Sequence, residues 1–370
     1  MTPKERGRVN RNAEPITTAD FERAAAALLP AEVWDFVAGG SGAEATLSAN
    51  RAALDSVFVV PRVLQDVSAG STRCTMLGGP AEMPVAAAPV AYQRLIHPEG
   101  EAATARAAKT AGIPYVVSTL SSVPLEQITE AGGRVWLQLY WLRDEATTLN
   151  LVRRAEDAGC EAIVVTVDVP WMGRRLRDIR NRFALPAHVR TANIETTAAA
   201  HQPAVDGSAV AAHTSQEFSP ALTWSILDRL REHTRLPLVV KGILAPEDAR
   251  LAVDHGVDAI VVSNHGGRQL DGALPSIDAL PGVAAAVRGE CEILLDSGVR
   301  NGTDVLRALA LGASGVLLGR PLIWGLAAGG ERGARRVLHM FKAELHDALG
   351  LAGCPDVAAA GRLRVVRRPA

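Results

Sequence analysis

The sequence predicts an α/β fold, a (β/α)8 TIM barrel with N-terminal capping helices and a long lid-like insertion after the fourth strand. Three observations in its 370 residues predict this fold. Eight short apolar runs alternate with helical segments rich in Ala, Leu and Arg, which is typical of a closed parallel sheet. Several helical segments end in an Ala-Gly or Leu-Gly pair, the expected helix stop before a strand. The GxGxxG turn, which an open doubly wound sheet normally carries after its first strand, is missing there.

The eight apolar runs are the predicted barrel strands. They cover residues 83–91, 113–119, 135–140, 162–169, 236–242, 259–266, 292–298 and 315–321. Their β-branched and aliphatic composition fits strands that are buried on both faces. Helical candidates lie between them at residues 100–112, 149–159, 246–256 and 302–312. One continuous alternation of this kind predicts a single domain over residues 18–365.

Two helices are predicted before the first barrel strand. Residues 1–17 are mostly polar and predict a flexible tail. Thr18, Ala19 and Asp20 can start a helix that Pro30 stops, and a second helical segment at residues 32–40 ends in a Gly-Gly pair. We expect these helices to cap one end of the barrel.

The interval between the fourth and fifth strands is roughly three times as long as the others, far above the usual loop length. Within it, residues 190–219 are rich in Ala, Thr, Ser and His and show no clear period. Such a connection is usually a mobile lid or a disordered insertion. It would lie on the C-terminal face of the barrel, where barrel enzymes hold their active sites.

The composition excludes several classes of function. Lys and Arg number 39 against 40 acidic residues, so no basic field indicates nucleic acid as a partner. The four cysteines are far apart and form no CxxC pair, so neither a metal site nor a disulfide framework is expected. The N-terminal residues do not resemble a signal peptide, and no apolar run is long enough to span a membrane. We therefore expect a cytoplasmic protein with no membrane partner.

Polar residues at the ends of the predicted strands mark a catalytic rim. In residues 259–272 an apolar run changes abruptly to Ser-Asn-His-Gly-Gly-Arg, which places His265 and Arg268 just past a strand end. Polar groups that converge at strand ends are where barrel active sites lie. The candidates in strand order are Gln138, Tyr140, Thr166, Asp168, Arg174, Arg175, Lys241, Ser263, His265, Arg268, Asp296, Arg300, Gly319 and Arg320. Some of them could be structural, such as Asp168 as a turn cap or Arg174 as a solvated charge.

The last two strand–helix units predict a phosphate site. Residues 296–305 and 312–321 each place glycines and an arginine at a strand end. In this fold those loops commonly bind phosphate through backbone N–H groups and a helix N-terminus. The phosphate could belong to a substrate or to a cofactor such as FMN.

Several of these motifs together resemble the FMN-dependent 2-hydroxy acid oxidase and dehydrogenase family. The resemblance rests on SNHGGRQLDG, DSGVRNGTDVLRALALGASGVLLGRP, TVDVPWMGRRLRDIRNRF, WLQLY and APVAYQRLIHPEGE, and it runs from about residue 20 to about residue 360. It implies that His265 is the base and that Asp168 orients it. It also implies that Arg175 and Arg268 bind the substrate carboxylate and that Tyr140 hydrogen-bonds the substrate.

The resemblance implies a set of residues around FMN as well. Lys241 would lie near the N1/C2 carbonyl edge of the flavin ring and favour the anionic reduced form. The other implied cofactor contacts are Pro89, Val90, Ala91, Ser118, Gln138, Thr166, Ser263, Asp296, Gly298, Arg300, Gly319 and Arg320. The acceptor of the electrons would be dioxygen, and the family usually assembles as a homotetramer or octamer.

Three positions depart from the family pattern. Phe36 stands where a tyrosine is usual, so a phenolic donor to the substrate is lost. Leu120 replaces an aromatic residue. Ser297 replaces a glycine, and if that position needs a positive φ, the serine would weaken FMN binding. With Tyr92 and Trp171 as further wall candidates, these changes predict an aromatic 2-hydroxy acid substrate such as mandelate or 4-hydroxymandelate. The family resemblance implies the (S) enantiomer.

Three alternatives remain open at this point. The substrate could be a small aliphatic 2-hydroxy acid, lactate or glycolate. The barrel could instead be a lyase or isomerase that binds a phosphorylated substrate and uses Lys241 to form a Schiff base. The chain could also bind flavin without turnover, although His265, Asp168 and Arg268 are intact.

Overall fold

The computed structural model describes residues 14–195, 197–203 and 208–368. In this part of the chain eight parallel strands close into a barrel. The barrel strands are β4 (Val85–Ala87), β5 (Tyr115–Ser118), β6 (Val135–Leu139), β7 (Ala162–Thr166), β8 (Leu238–Ile243), β9 (Ala259–Val262), β10 (Glu292–Leu295) and β11 (Gly315–Leu318). Each lies within, or extends by one residue beyond, one of the eight predicted apolar runs, so the predicted (β/α)8 barrel is confirmed.

The strands alternate between two apolar environments. In β7, Ala162 and Val164 belong to a small cluster with Trp136 of β6, whereas Ile163 and Val165 belong to the main core that includes the surrounding helices. Because successive side chains of a strand point to opposite faces, one set fills the barrel interior and the other packs outward. This double burial explains why the strands appear in the sequence as continuous apolar runs.

Helices cover the outside of the barrel. Those from the barrel repeat and the connection after β7 are α4 (Glu101–Ala111), α5 (Leu125–Glu130), α6 (Glu145–Asp157), α7 (Leu176–Arg180), α8 (Ala209–Glu217), α9 (Ser225–His233), α10 (Pro246–Asp254), α11 (Ser276–Val287), α12 (Gly302–Ala310) and α13 (Arg320–Ala352). Short 3₁₀ helices occupy Gln93–Leu95 and Ala198–His201. The helical φ/ψ values of α13 are interrupted at Gly329 and Gly330. The chain then forms α14 (Val357–Ala360).

The N-terminal helices are α1 (Thr18–Leu28), α2 (Ala31–Ala38) and α3 (Ala45–Asp55). Thr17 and Asp20 form a capping box that fixes the start of α1, in agreement with the predicted start. Of the flexible tail predicted for residues 1–17, residues 1–13 lie outside the described residues. Helix α2 ends beside the barrel mouth, where its last carbonyl groups accept hydrogen bonds from two arginines of the site.

Two small antiparallel sheets lie beside the barrel. Strand β1 (Val57–Val60) pairs with β12 (Arg364–Arg367), and β2 (Cys74–Met76) pairs with β3 (Gly79–Ala81). The sequence pattern did not predict these short strands. No helix among the described residues is long and apolar enough to cross a membrane.

The long connection after β7 contains regular structure that the sequence pattern missed. Within residues 190–219, where no period was evident, the structure places the second 3₁₀ helix and α8. Helix α8 buries Val210, His213 and Thr214. Two of these three side chains are polar, which explains why the amphipathic pattern was weak. Part of the connection, residues 196 and 204–207, lies outside the described residues.

Candidate active site

A cavity opens at the carboxyl ends of the barrel strands. Sixteen of the predicted site residues line it: Phe36, Pro89, Val90, Ala91, Ser118, Tyr140, Thr166, Arg175, Lys241, His265, Arg268, Asp296, Gly298, Arg300, Gly319 and Arg320. Parallel strands end at the same rim of a barrel, so side chains distant in sequence converge there. These sixteen predicted site residues therefore line one cavity.

His265 and Asp168 form a hydrogen-bonded pair beside the cavity. Nδ1 of His265 lies 2.9 Å from Oδ1 of Asp168. Burial and the nearby Lys241 cation lower the pKa of His265, although the Asp168 carboxylate opposes them. Burial would raise the pKa of Asp168, but its interaction with His265 and the Lys241 cation hold it below its usual value. The pair is therefore a neutral imidazole oriented by a carboxylate, which leaves Nε2 as the proton acceptor.

Lys241 is a buried cation held by two strand ends. Its Nζ lies 3.0 Å from Oδ2 of Asp296 and donates to Oγ of Ser263, also at 3.0 Å. Burial would lower the pKa of Lys241, but Asp296 and Asp168 outweigh it and raise the pKa above its usual value. Lys241 therefore stays protonated and places a fixed positive charge on the cavity wall.

Arg175 and Arg268 bring two guanidinium groups to the opposite side of the cavity. Arg268 Nη1 donates to the carbonyl oxygens of Phe36 and Gly39 at 2.9 and 2.7 Å, at the end of α2. The buried Nε of Arg175 has no hydrogen-bond partner in the described chain. Burial and the neighbouring Arg268 charge lower the pKa of Arg175 to about 9. Two adjacent cations with an unused donor indicate a site for an anion such as a carboxylate.

A second pair of arginines, Arg300 and Arg320, also lines the cavity. Arg300 lies over the ring of Trp324, with its guanidinium carbon 5.0 Å from the ring centroid. Arg320 donates to the carbonyl oxygens of Val37, Gly39 and Gly266 at 2.8–3.0 Å. Neither forms an ion pair with a carboxylate within the described residues, and burial lowers the pKa of both, that of Arg300 to about 10. Unneutralised cations in such surroundings fit a phosphate group, so the residues present fit FMN.

The remaining wall of the cavity is aromatic and aliphatic. The ring of Tyr140 stacks on Phe218 with centroids 4.3 Å apart, and Phe36 stacks on Phe183 at 4.7 Å. Burial raises the pKa of the Tyr140 phenol to about 12, so its hydroxyl remains a hydrogen-bond donor. The other wall residues are Tyr92, Leu120, Val169, Met172, Val210 and Thr214.

Three predicted residues lie behind the cavity lining. Asp168 contacts His265, and Ser263 contacts Lys241. Gln138 is buried and hydrogen-bonds Ser118 and Thr166, both of which line the cavity. These three residues position the lining, and their predicted contact with cofactor or substrate stays a prediction.

The placement of Trp171 in the cavity wall was wrong. Its side chain is 75% exposed, and it is absent from the cavity lining. Its neighbour Met172 lines the cavity, and at Gly173 the carbonyl of Arg268 and the backbone of Gln269 approach closely. Arg174 is likewise exposed, whereas Arg175 lines the cavity.

Sequence reasoning missed the wall that the long connection supplies. Val210, Thr214 and Phe218 line the cavity from α8 and the residue after it. Their spacing of four residues places them on one helix face. That spacing was present in the sequence, but a helix of only 9 residues, with a threonine in the middle of the spacing, gives a weak signal.

Comparisons with known proteins agree with this geometry. Residues 25–367 match the family described as FMN-dependent dehydrogenase. The chain is 61% identical to 4-hydroxymandelate oxidase of Amycolatopsis orientalis, over 94% of this chain and 97% of the relative. It is 46% identical to an L-lactate oxidase of a Nostoc species, over 93% and 96% of the two chains.

A solved structure of mandelate oxidase with (S)-4-hydroxymandelic acid is also similar. It superposes with a TM-score of 0.94 at 60% sequence identity, covering 95% of this chain and 99% of that chain. The family match extends over nearly the whole described domain, and the similarity of the solved structure covers the barrel and the cavity. The chain therefore belongs to the FMN-dependent dehydrogenase family, with FMN as its cofactor.

Proposed function

We propose that this protein oxidises an aromatic (S)-2-hydroxy acid, mandelate or 4-hydroxymandelate, to the 2-oxo acid and reduces dioxygen to hydrogen peroxide. One observation carries the proposal. A neutral His265, oriented by Asp168, shares a cavity with Arg175 and Arg268, which have no carboxylate partner in the described chain. The names of the two mandelate-oxidising relatives support the aromatic substrate.

The two guanidinium groups bind the substrate carboxylate. Arg268 is fixed by the carbonyl groups at the end of α2, while Arg175 keeps its Nε donor unused. A bound carboxylate neutralises both cations and relieves their mutual repulsion. The Tyr140 hydroxyl, protonated at neutral pH, donates a further hydrogen bond to the substrate. These contacts orient the carbon that bears the hydroxyl group.

His265 takes a proton from the bound hydroxy acid at Nε2. Asp168 holds Nδ1 and stabilises the imidazolium that forms, so the charge does not have to be solvated by water. FMN, which Arg300 and Arg320 would hold by its phosphate, would supply a two-electron acceptor for the substrate and a two-electron donor for dioxygen. The reaction balances because the hydroxy acid loses two electrons and two protons and dioxygen gains them as hydrogen peroxide. Lys241 supplies a fixed cation that favours added negative charge at the cavity wall.

The cavity wall favours an aromatic substituent. Phe36, Tyr92, Leu120, Met172 and Val210 offer mainly apolar surface there. Burying a phenyl ring rather than a methyl group adds several CH₂ equivalents at about 0.8 kcal/mol each, enough for a large preference over lactate. Ala91, the residue that oxidases of this family tend to carry beside the flavin, also lines the cavity and supports dioxygen as the acceptor.

Two of the three alternatives, a small aliphatic substrate and a Schiff-base reaction, have weaker support. A small aliphatic hydroxy acid would leave the apolar wall without a contact, although a lactate oxidase is among the relatives. A Schiff-base mechanism needs a neutral lysine, whereas the ion pair with Asp296 raises the pKa of Lys241.

We also propose that the protein is a cytoplasmic homo-oligomer, a tetramer or octamer, and that residues 190–219 move as a lid. Large apolar side chains exposed on the described surface, such as Leu64 and Leu351, support association. Helix α8 and residue 218 supply part of the cavity wall, which supports a lid role for the connection. Light scattering measures the assembly, and hydrogen exchange with and without substrate measures the lid.

The function is tested by turnover under air with (S)-mandelate, (S)-4-hydroxymandelate, lactate and glycolate. The holoenzyme should form hydrogen peroxide and 2-oxo acid in equal amounts. The values of kcat/KM for the two aromatic acids should be roughly tenfold or more above those for the aliphatic acids, because of the extra apolar burial. Peroxide well below one equivalent per oxo acid would exclude dioxygen as the acceptor.

A further inference from the structure

Ser297 has an unusual backbone conformation at the end of β10. Its φ is +75°, in the left-handed region that non-glycine residues rarely adopt. The side chain is buried with 7% exposure. A serine persists in such a conformation when other interactions offset the steric strain. The contacts of its hydroxyl supply them.

The hydroxyl of Ser297 connects two parts of the site. It donates to Oδ1 of Asp296 at 2.7 Å and accepts from the backbone N–H of Gly266 at 2.9 Å. The other carboxylate oxygen of Asp296 pairs with Lys241. Gly266 directly follows His265. One hydroxyl therefore joins the loop that carries the base to the carboxylate that holds the buried lysine.

The loop that Ser297 contacts needs such support. His265, Gly266 and Gly267 have φ values of +59°, +67° and +73°, three consecutive left-handed residues. Their N–H groups donate to side-chain oxygens of Ser263, Ser297 and Asn264, at 2.9–3.0 Å. Ser263 and Asn264 lie next to the loop in the chain, whereas Ser297 reaches it from the neighbouring strand. Ser297 thus fixes the position of the loop relative to the rest of the barrel.

We propose that Ser297 is a positioning residue for His265, whose hydroxyl holds the left-handed loop in register with the Asp296–Lys241 pair. The inference rests on the proposed function, in which His265 is the base. A glycine at position 297 would suit the backbone but leave the Gly266 N–H without this acceptor. The serine therefore accepts backbone strain at position 297, and its hydroxyl fixes the position of His265.

Loss of the hydroxyl should slow proton removal and change its pH dependence. The charged groups that face His265 are Asp168, Lys241 and Asp296. A loosened loop admits water to the imidazole, so the burial that lowers its pKa weakens. The acid limb of the rate profile should then move up towards about 6.5, the ordinary value for histidine. Substrate affinity should change little because Arg175 and Arg268 do not contact Ser297.

Two substitutions separate the hydroxyl from the backbone strain. Ser297→Ala removes the hydroxyl and keeps the strained Cβ, whereas Ser297→Gly removes both. In the FMN-loaded enzyme, both variants should retain the cofactor and reduce the rate of anaerobic flavin reduction by (S)-mandelate roughly ten- to a hundredfold, with KM nearly unchanged. Ser297→Gly should unfold at a higher temperature than Ser297→Ala because glycine accepts a positive φ.

Ser276→Ala is the matched control. It removes another buried hydroxyl, which donates to the backbone carbonyls of Asp296 and, at 3.4 Å, Ser297 but has no hydrogen bond to the described residues 263–267. It should leave the pH profile of flavin reduction in place. An equal shift in this control would mean general loosening and would overturn the inference.

Other outcomes are equally decisive. Wild-type rate and pH profile in Ser297→Gly would show that the hydroxyl does not position the base. Loss of FMN from both variants would assign Ser297 to cofactor binding instead. If no 2-hydroxy acid reduces the flavin of the wild-type enzyme, the proposed function itself is refuted. If the wild type and both Ser297 variants are reduced at the same rate, only the inference about Ser297 is refuted.

Discussion

The guanidinium carbon of Arg268 lies 5.5 Å from the ring centroid of Phe36, and that of Arg175 lies 5.9 Å from the same ring. One phenyl ring thus contacts both cations that we assign to the substrate carboxylate. A guanidinium group near an aromatic ring is stabilised electrostatically, most strongly where water is excluded. Phe36 therefore supports the arginine pair while offering no hydroxyl group at its own position in the cavity wall.

Phe36→Tyr should shift the substrate preference towards small acids. The added phenol can donate to a substrate carboxylate, and a hydrogen bond to a charged group contributes about 1.5–3 kcal/mol. We expect the ratio of kcat/KM for lactate to that for (S)-mandelate to rise several-fold. Phe183→Tyr, which places a hydroxyl on the ring stacked behind Phe36, is the control and should change the ratio less. An unchanged ratio in Phe36→Tyr would remove Phe36 from the specificity argument.

Asp168→Asn should reduce the rate of flavin reduction without releasing FMN. The amide keeps the shape of the side chain but loses the charge that stabilises the imidazolium, and a loss of about 10²–10⁴-fold is expected for impaired base catalysis. Stopped-flow absorbance measures the rate, and the visible flavin spectrum measures FMN content. Gln269→Glu tests a nearby change of charge, since the Gln269 amide donates to the backbone carbonyls of Asp168 and Trp171 and accepts from the N–H of Gly173. Near wild-type reduction in Asp168→Asn would refute the role of the pair.

The rate of flavin reduction should be constant at neutral pH and fall in acid. His265 acts as a base when neutral, and burial lowers its pKa below the ordinary value of about 6.5. The same lowered pKa adds to the free energy of unfolding at pH values above the ordinary histidine pKa. The unfolded chain binds the proton more readily than the folded chain, so this stabilisation is lost as the pH falls through the lowered pKa. Reduction rates across pH in His265→Ala and wild type check this. A wild-type limb centred above the ordinary histidine value would contradict it.

Arg300→Met should stabilise the apoprotein and weaken FMN binding. Burial lowers the pKa of Arg300 because no carboxylate neutralises it in the described chain. Removing a buried charge that has no partner relieves the cost of its desolvation. The increase in unfolding temperature on adding FMN should therefore be smaller in the variant than in the wild type. An equal FMN-induced shift would place the phosphate elsewhere.

The barrel could be predicted from the sequence because double burial gives each strand a continuous apolar run. Asp168, Lys241 and His265 were identified for a related reason, since each polar side chain directly follows such a run. A positive φ at Ser297 could be considered from the sequence because the family usually has glycine at that position. The hydrogen bonds of Ser297 to Gly266 and Asp296 could not be predicted, because they depend on how two strands lie side by side.

The wall from the long connection could not be predicted in the same way. Helix α8 buries His213 and Thr214 beside Val210, so its inward face is too polar to give a clear period. Trp171 shows the converse error. An aromatic residue after a strand can face either the cavity or solvent, and the side chain of Trp171 faces solvent.

Anaerobic reduction of the bound flavin by single acids tests the central claim most directly, because it isolates the chemical step from the reaction with dioxygen. The yellow holoenzyme is mixed with saturating (S)-mandelate or with saturating glycolate, and the loss of the visible flavin band is followed. The account predicts that mandelate bleaches the flavin roughly tenfold or more faster, in a reaction that His265→Ala slows by about 10²–10⁴-fold while retaining FMN. Equal or faster bleaching by glycolate, or rapid bleaching in His265→Ala, would contradict it.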